Sequence, residues 1–121
     1  MGMDLDFWKY KEGASHNDGK VYELACCDGK VLEELENLPS DSILEDIAYA
    51  FKGWDAIDRY NYESKNTSGS FQVFTTGQIA RFDCYGMENK DINLIIDIMH
   101  KYGCPLYDPQ VPQRFDTWTA Q

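Results

Sequence analysis

The side chains whose types could do chemistry are two histidines, four cysteines and a large surplus of carboxylates. Hydrolysis or acyl transfer needs a nucleophile beside a base, and His100 with Cys104 is the pair close enough in sequence to consider. The surrounding pattern instead puts His100 in the last turn of a helix, where a cation suits the helix dipole, and leaves Cys104 to pack beneath the following strand. His16 falls in a loop. Cys26 and Cys27 are adjacent, Cys84 and Cys104 stand apart, and neither a CxxC nor a His-x-x-x-His spacing occurs. The thiols therefore read as small buried side chains, and no metal site is expected. A glycosidase-like pair needs two carboxyl groups in contrasting environments across a cleft, whereas the acids here fall mainly on outward faces. No P-loop, dinucleotide-type glycine loop or calcium-loop spacing is present. The expectation is a protein that is not an enzyme, with no catalytic residue and no cofactor.

Charge says more than motif. Acidic side chains outnumber basic ones by 21 to 11, and the surplus is concentrated in residues 28–63. That stretch holds Asp28, Glu33, Glu34, Glu36, Asp41, Glu45, Asp46, Asp55, Asp58 and Glu63 against Lys30, Lys52 and Arg59. Such a field repels nucleic-acid phosphates and anionic membranes while it attracts and orients cationic partners. Aromatic rings accompany the acids: Trp54, Tyr60 and Tyr62 lie within the acidic stretch, and Phe74 and Tyr85 fall on the outward side of a hairpin. Rings surrounded by charge match the anatomy of a protein interface, in which desolvated aromatics supply affinity and carboxylates supply speed and partner choice. The candidate partner-binding set is therefore Glu33, Glu34, Glu36, Asp41, Glu45, Asp46, Trp54, Asp55, Asp58, Tyr60, Tyr62, Phe74 and Tyr85. Exposed rings on a sheet can also stack RNA bases, but that platform needs Lys and Arg for phosphates, and the hairpin offers Arg81 with Asp83 beside it.

The elements that must position these residues follow from periodicity. Residues 5–11 read as a strand, and residues 20–26 as a second one with Tyr22, Leu24 and Cys26 on its inward face, the two pairing as a hairpin. Ser42 and Glu45 fit a capping box, with Pro39 ahead and Gly53 behind, around a helix whose Ile43, Leu44, Ile47, Ala48 and Phe51 share a face. Residues 54–69 read as a long connection. Residues 70–85 read as a hairpin turning at Gly77-Gln78, with Phe71, Val73, Ala80, Phe82 and Cys84 on one side and Gln72, Phe74, Ile79, Arg81, Asp83 and Tyr85 on the other. Asn89 caps a helix to Tyr102 with Ile92, Ile95, Ile96, Met99 and Tyr102 as its apolar stripe and Gly103 as its stop. A short edge strand at Leu106 and Tyr107 follows, and residues 111–121 make a loosely held tail with Phe115 or Trp118 docked.

The expected fold is thus a single α+β domain over residues 1–121. Its mostly antiparallel sheet of four to five strands carries two helices on one face, a ferredoxin-like (split βαβ) two-layer sandwich with an added N-terminal hairpin strand. No apolar run approaches the roughly 18 residues of a membrane span and no basic-then-apolar leader opens the chain, so a cytoplasmic protein without membrane or nucleic-acid partners is expected.

Two segments are familiar as sequence: residues 70–76 (SFQVFTT) continuing into 81–87 (RFDCYGM), and residues 102–110 (YGCPLYDPQ). They resemble small uncharacterised bacterial proteins of the general type of toxin-immunity proteins, which protect a cell against contact-delivered or polymorphic toxins. The resemblance implies a noncatalytic inhibitor that occludes a toxin's active site or a nearby surface, and nuclease toxins are usually basic. It carries over no binding residue. Two other functions fit the same residues: a decoy that mimics nucleic-acid charge, as antirestriction proteins do, and a small-molecule sensor or enzyme with a pocket between sheet and helices.

Overall fold

Seven strands, β1 (Gly2–Trp8), β2 (Asp55–Asp58), β3 (Asn61–Glu63), β4 (Ser70–Thr75), β5 (Ile79–Tyr85), β6 (Leu106–Asp108) and β7 (Gln113–Arg114), form one antiparallel sheet in the computed structural model, which describes residues 2–115. The strand order is β2-β3-β4-β5-β1-β6-β7. The first strand is thereby an interior strand of the sheet, paired along its whole length with β5 and at its end with β6. Three helices accompany the sheet: α1 (Asp18–Val21), which continues as a π-helical stretch over Tyr22–Cys27, α2 (Ser40–Ala50) and α3 (Asn89–Lys101). The fold is α+β, with more strands and one more helix than the sequence pattern suggests.

Alternation along the strands decides which face holds the core. Leu5 and Phe7 of β1, Phe71 and Val73 of β4, and Ala80, Phe82 and Cys84 of β5 are buried together under α2 and α3. α2 contributes Ile43, Leu44 and Ile47, joined by Phe51 just past its end, while α3 contributes Ile95 and Met99. Hairpin β4-β5 has the register expected from its turn, with Thr75 opposite Ala80 and Phe71 opposite Cys84, and Gly77 supplies the positive φ of +96° that the turn requires. α3 ends as expected. Gly103 takes a φ of +76°, its N–H reaches the His100 carbonyl, and the Cys104 N–H reaches that of Met99, which together satisfy two carbonyls at the helix end.

Six expectations are corrected. Residues 20–26 are helical, because the Asn17 side chain accepts the Lys20 N–H at 3.1 Å and caps a helix there. Val21, Ala25 and Cys26 then face inward, spaced for a helix as well as for a strand. The N-terminal hairpin does not form, since β1 has both of its edges occupied by β5 and β6. α2 begins at Ser40 without a side-chain cap, so the Ser42–Glu45 box is absent, and Ala48 is exposed. Residues 54–69 are not all connection: they include the β2-β3 pair, which lengthens the sheet beyond β4. The expected loose tail includes β7, paired with β6 through Tyr107–Arg114 and Asp108–Gln113, while Trp118 lies outside the described residues. β6 is accordingly internal and β7 is the edge.

The second face of the sheet is half covered. The helical run 18–27 and the loop after it pack over Trp8, Ile79 and Tyr107 through Val21, Ala25, Cys26, Leu32 and Leu35. Buried Gln78 ties that loop down: its amide nitrogen donates to the Leu32 and Leu35 carbonyls at 2.9 and 3.2 Å, and its oxygen accepts the Leu32 N–H at 2.9 Å. The β2-β3-β4 half of this face, with the end of β5, has no helix over it.

Candidate partner-binding face

Cross-strand register arranges the open half of the face in rows. One row runs Asp55, Glu63, Ser70, Tyr85 and Gly2, and the next runs Asn61, Gln72, Asp83 and Asp4, with Asp58 opposite Asn61. A third pairs Phe74 with Arg81 and Arg81 with Asp6. Phe74 and Tyr85 are 46% and 54% exposed, and strand geometry sets them roughly 14 Å apart with the polar row between them. Shallow depressions of about 310 and about 250 Å³ flank Phe74, one beside Tyr60 and Asn61 and the other beside Cys27 and Arg81.

The electrostatics of this face are unbalanced. Asp55 stands directly opposite Glu63, a like-charge pair of the kind that destabilises a sheet, and its cation within reach is Lys65 at 3.7 Å. Asp83 stands opposite Asp4, and Arg81 holds that pair together, with Nε 3.1 Å from Asp83 and Nη2 3.5 Å from Asp4. Hydrogen bonds from Asn61 and from the Tyr60 N–H hold the Asp58 carboxyl below the usual carboxylate range. Asp58 therefore keeps its charge further into acid conditions than an unpartnered aspartate.

The sequence-derived set divides between places. Phe74, Tyr85, Asp55, Asp58 and the 40%-exposed Tyr60 belong to or border the open face. Tyr62 does not: its ring is 3% exposed and stacks on Phe71 at 4.9 Å, so it is core rather than anchor. Trp54 is half-buried against Phe51 and Phe71 on the helical side. Asp41 and Glu45 are exposed on α2, where Arg59 lies 2.6 Å from Asp41. Asp46 is engaged by Lys101 and then by the Tyr102 hydroxyl, which together lower its pKa. Glu34 and Glu36 face Lys20 at 2.8 Å and Lys9 at 3.8 Å, and Glu33 is exposed on the loop.

Sequence reasoning missed Asp6, Asp4, Glu63 and Asp83. Asp6 is fully buried, and neither carboxyl oxygen has a hydrogen-bond partner. Burial first, then Asp4, pushes its pKa up to about 8, so it holds a proton at neutral pH beside Asp4, which is ion-paired with Arg81. That is the contrast a general acid and base require, but the side chain is sealed beneath Cys26 and Arg81 and meets no cleft. Alternation gives the signal that could have found it, since Leu5 and Phe7 facing one way oblige Asp4 and Asp6 to face the other. Three of the cysteines are buried and Cys27 is exposed; burial pushes the Cys104 thiol up to about 12, which favours the protonated thiol over the nucleophilic thiolate. Among the described residues no group of acids, thiols and imidazoles is placed to hold a metal ion, and no helix is long and apolar enough to cross a membrane.

No protein-family model matches the chain, and neither a curated protein nor a solved structure matches it significantly.

Proposed function

We propose that this protein is a noncatalytic, protein-binding inhibitor of a basic partner, acting in the cytoplasm as an immunity protein against a nuclease-like toxin. The observation that carries the proposal is the open half of the sheet, where exposed Phe74 and Tyr85 sit among rows containing Asp55, Glu63, Asp58, Asp83 and Asp4. The rings supply apolar area for a desolvated centre. The unbalanced carboxylates supply long-range capture of a cationic surface and are relieved of mutual repulsion when it arrives. The plan we infer for β1, α2, β4, β5, α3 and β6 is ferredoxin-like. Its support is the order β4-β5-β1-β6, which inserts β5 between two strands joined through a helix.

The test is protection of cells that produce a basic nuclease toxin, with pull-down of that toxin's nuclease domain by the purified protein. Retention of both protection and binding by a Phe74→Ala/Tyr85→Ala variant that folds normally would falsify the assignment to this face. Failure of the native protein to bind any basic nuclease domain would overturn the function itself.

A further inference from the structure

Strand β4 outruns its neighbour. β3 pairs with it through Asn61–Gln72, Tyr62–Phe71 and Glu63–Ser70, and the turn between β2 and β3 lies at Arg59 and Tyr60, so Phe74 and Thr75 extend past both strands. The outer edge of β4 is open there, and the depression of about 310 Å³ beside Tyr60 and Asn61 is lined by Val73, Phe74 and Thr75.

Two hydrogen bonds decide which backbone groups face that opening. The Val73 N–H donates to the Tyr60 carbonyl at 2.8 Å, which puts the Val73 backbone on the β3 side, and alternation puts the Thr75 backbone on the same side. The Thr76 N–H donates to the Ile79 carbonyl at 3.4 Å, so Thr76 and Ile79 form a bonded pair and Thr75, one residue earlier, faces away from β5. Tyr60 does not return the bond it accepts: its N–H donates to the Asp58 carboxylate at 2.8 Å, which leaves the Val73 carbonyl without the donor that a paired strand supplies. The Val73 carbonyl, the Thr75 N–H and the Thr75 carbonyl thus remain in a line along the open edge, and among the described residues no backbone group takes up any of the three. Asp58, bonded to both Tyr60 and Asn61, sets a carboxylate beside the opening, while Arg59 is turned to Asp41 at 2.6 Å.

We infer that this notch takes an extended cationic segment of the basic partner proposed above, on which the assignment rests, by adding it beside β4 in line with β3. An incoming strand supplies a carbonyl for the Thr75 N–H and N–H groups for the two carbonyls. Its alternate side chains reach the exposed Phe74 ring, and the Asp58 carboxylate favours Lys or Arg among them. A helix spends its backbone groups on itself and has none along its length for this edge.

The isotope-labelled full chain is titrated with a short peptide of alternating Lys and Val, and with the same peptide N-methylated at every residue, which keeps the charge and removes the backbone donors. The expected result is saturable shifts of the Val73, Phe74 and Thr75 amide signals, slowed exchange of the Thr75 N–H, and affinity weaker by about tenfold or more for the methylated peptide. A Thr75→Pro variant loses the outward N–H without losing a bond of the β4-β5 ladder and should weaken binding of the unmethylated peptide similarly. No saturable shift, or equal affinity for the two peptides, overturns strand addition. Capture of a basic nuclease domain with undiminished affinity by Thr75→Pro overturns the notch and leaves the immunity function standing; strand addition by the peptide without capture of any such domain does the reverse.

Discussion

Asp6 and Arg81 stand directly opposite each other on β1 and β5, yet the guanidinium turns to Asp83 and Asp4 and leaves the Asp6 carboxyl without a hydrogen bond. The acid is consequently neutral at pH 7, with its pKa raised to about 8 chiefly by burial. The folded state binds a proton there that the unfolded chain has released.

Stability should therefore be greatest, as far as Asp6 is concerned, below its unfolded pKa of 3.8 and decline until the pH passes the folded value of about 8. The loss amounts to on the order of 4 kcal/mol between about pH 5 and pH 8. Asp6→Asn should remove this decline. His100, whose pKa burial holds low, works in the opposite direction and is common to both proteins, so it cancels in the difference. Urea unfolding of both proteins at several pH values measures the slope; equal slopes would show that Asp6 does not titrate in this range.

Tyr62 and Phe74 lie on neighbouring strands but on opposite faces, buried and exposed respectively. Tyr62→Ala should cost about 3 to 5 kcal/mol of stability, since it vacates space against Phe71 and Phe51. Phe74→Ala should cost less than about 1 kcal/mol. Thermal or denaturant midpoints of the two variants decide this, and similar losses would contradict the division of rings between core and open face.

Gln78 makes three buried hydrogen bonds to the backbone of Leu32 and Leu35. Gln78→Ala should cost about 2 to 3 kcal/mol, because it strands buried donors and acceptors on the loop. Hydrogen exchange should accelerate at Leu32 and Leu35 well beyond its change in β5. Uniform acceleration through the molecule would mean that the side chain does not anchor this loop in particular.

Charge reversal should depend on which acids are reversed. Asp55→Lys/Glu63→Lys removes from the open face a like-charge pair offset by Lys65 and should slow capture of a basic nuclease domain about tenfold at low salt. Glu33→Lys/Glu34→Lys/Glu36→Lys changes more charges but should slow it less, since Glu34 and Glu36 already face Lys20 and Lys9. Stopped-flow association across a salt series ranks the two variants, and the reverse ranking would move the docking surface to the loop.

Local patterns carried the parts of this fold that local physics decides. Hairpin β4-β5 was legible with both faces because its alternation is uninterrupted and Gly77 fixes the turn, and α3 was legible because its stripe ends at a glycine that must turn left-handed. Residues 20–26 were not, because Val21 with Ala25 and Tyr22 with Cys26 are four apart while Tyr22, Leu24 and Cys26 also alternate. Only the Asn17 cap separates the two readings. Strand β2 is exposed at every residue, so no burial pattern marks it as a strand. The binding candidates suffered from the same limit: clustering in sequence grouped acids that register distributes, and it overlooked Asp4, Glu63 and Asp83, which pairing brings together.

The position of β1 has a consequence for how the chain is made. Of the seven strands, β1 is translated before its two neighbours, β5 and β6, by about seventy residues or more. At ordinary synthesis speeds Leu5, Phe7 and Trp8 wait on the order of ten seconds for any partner strand. During that interval Asp4 and Asp6 place ionised groups between these apolar residues, the arrangement by which charged gatekeepers discourage association of open chains, and Asp6 surrenders its charge only when the sheet closes around it.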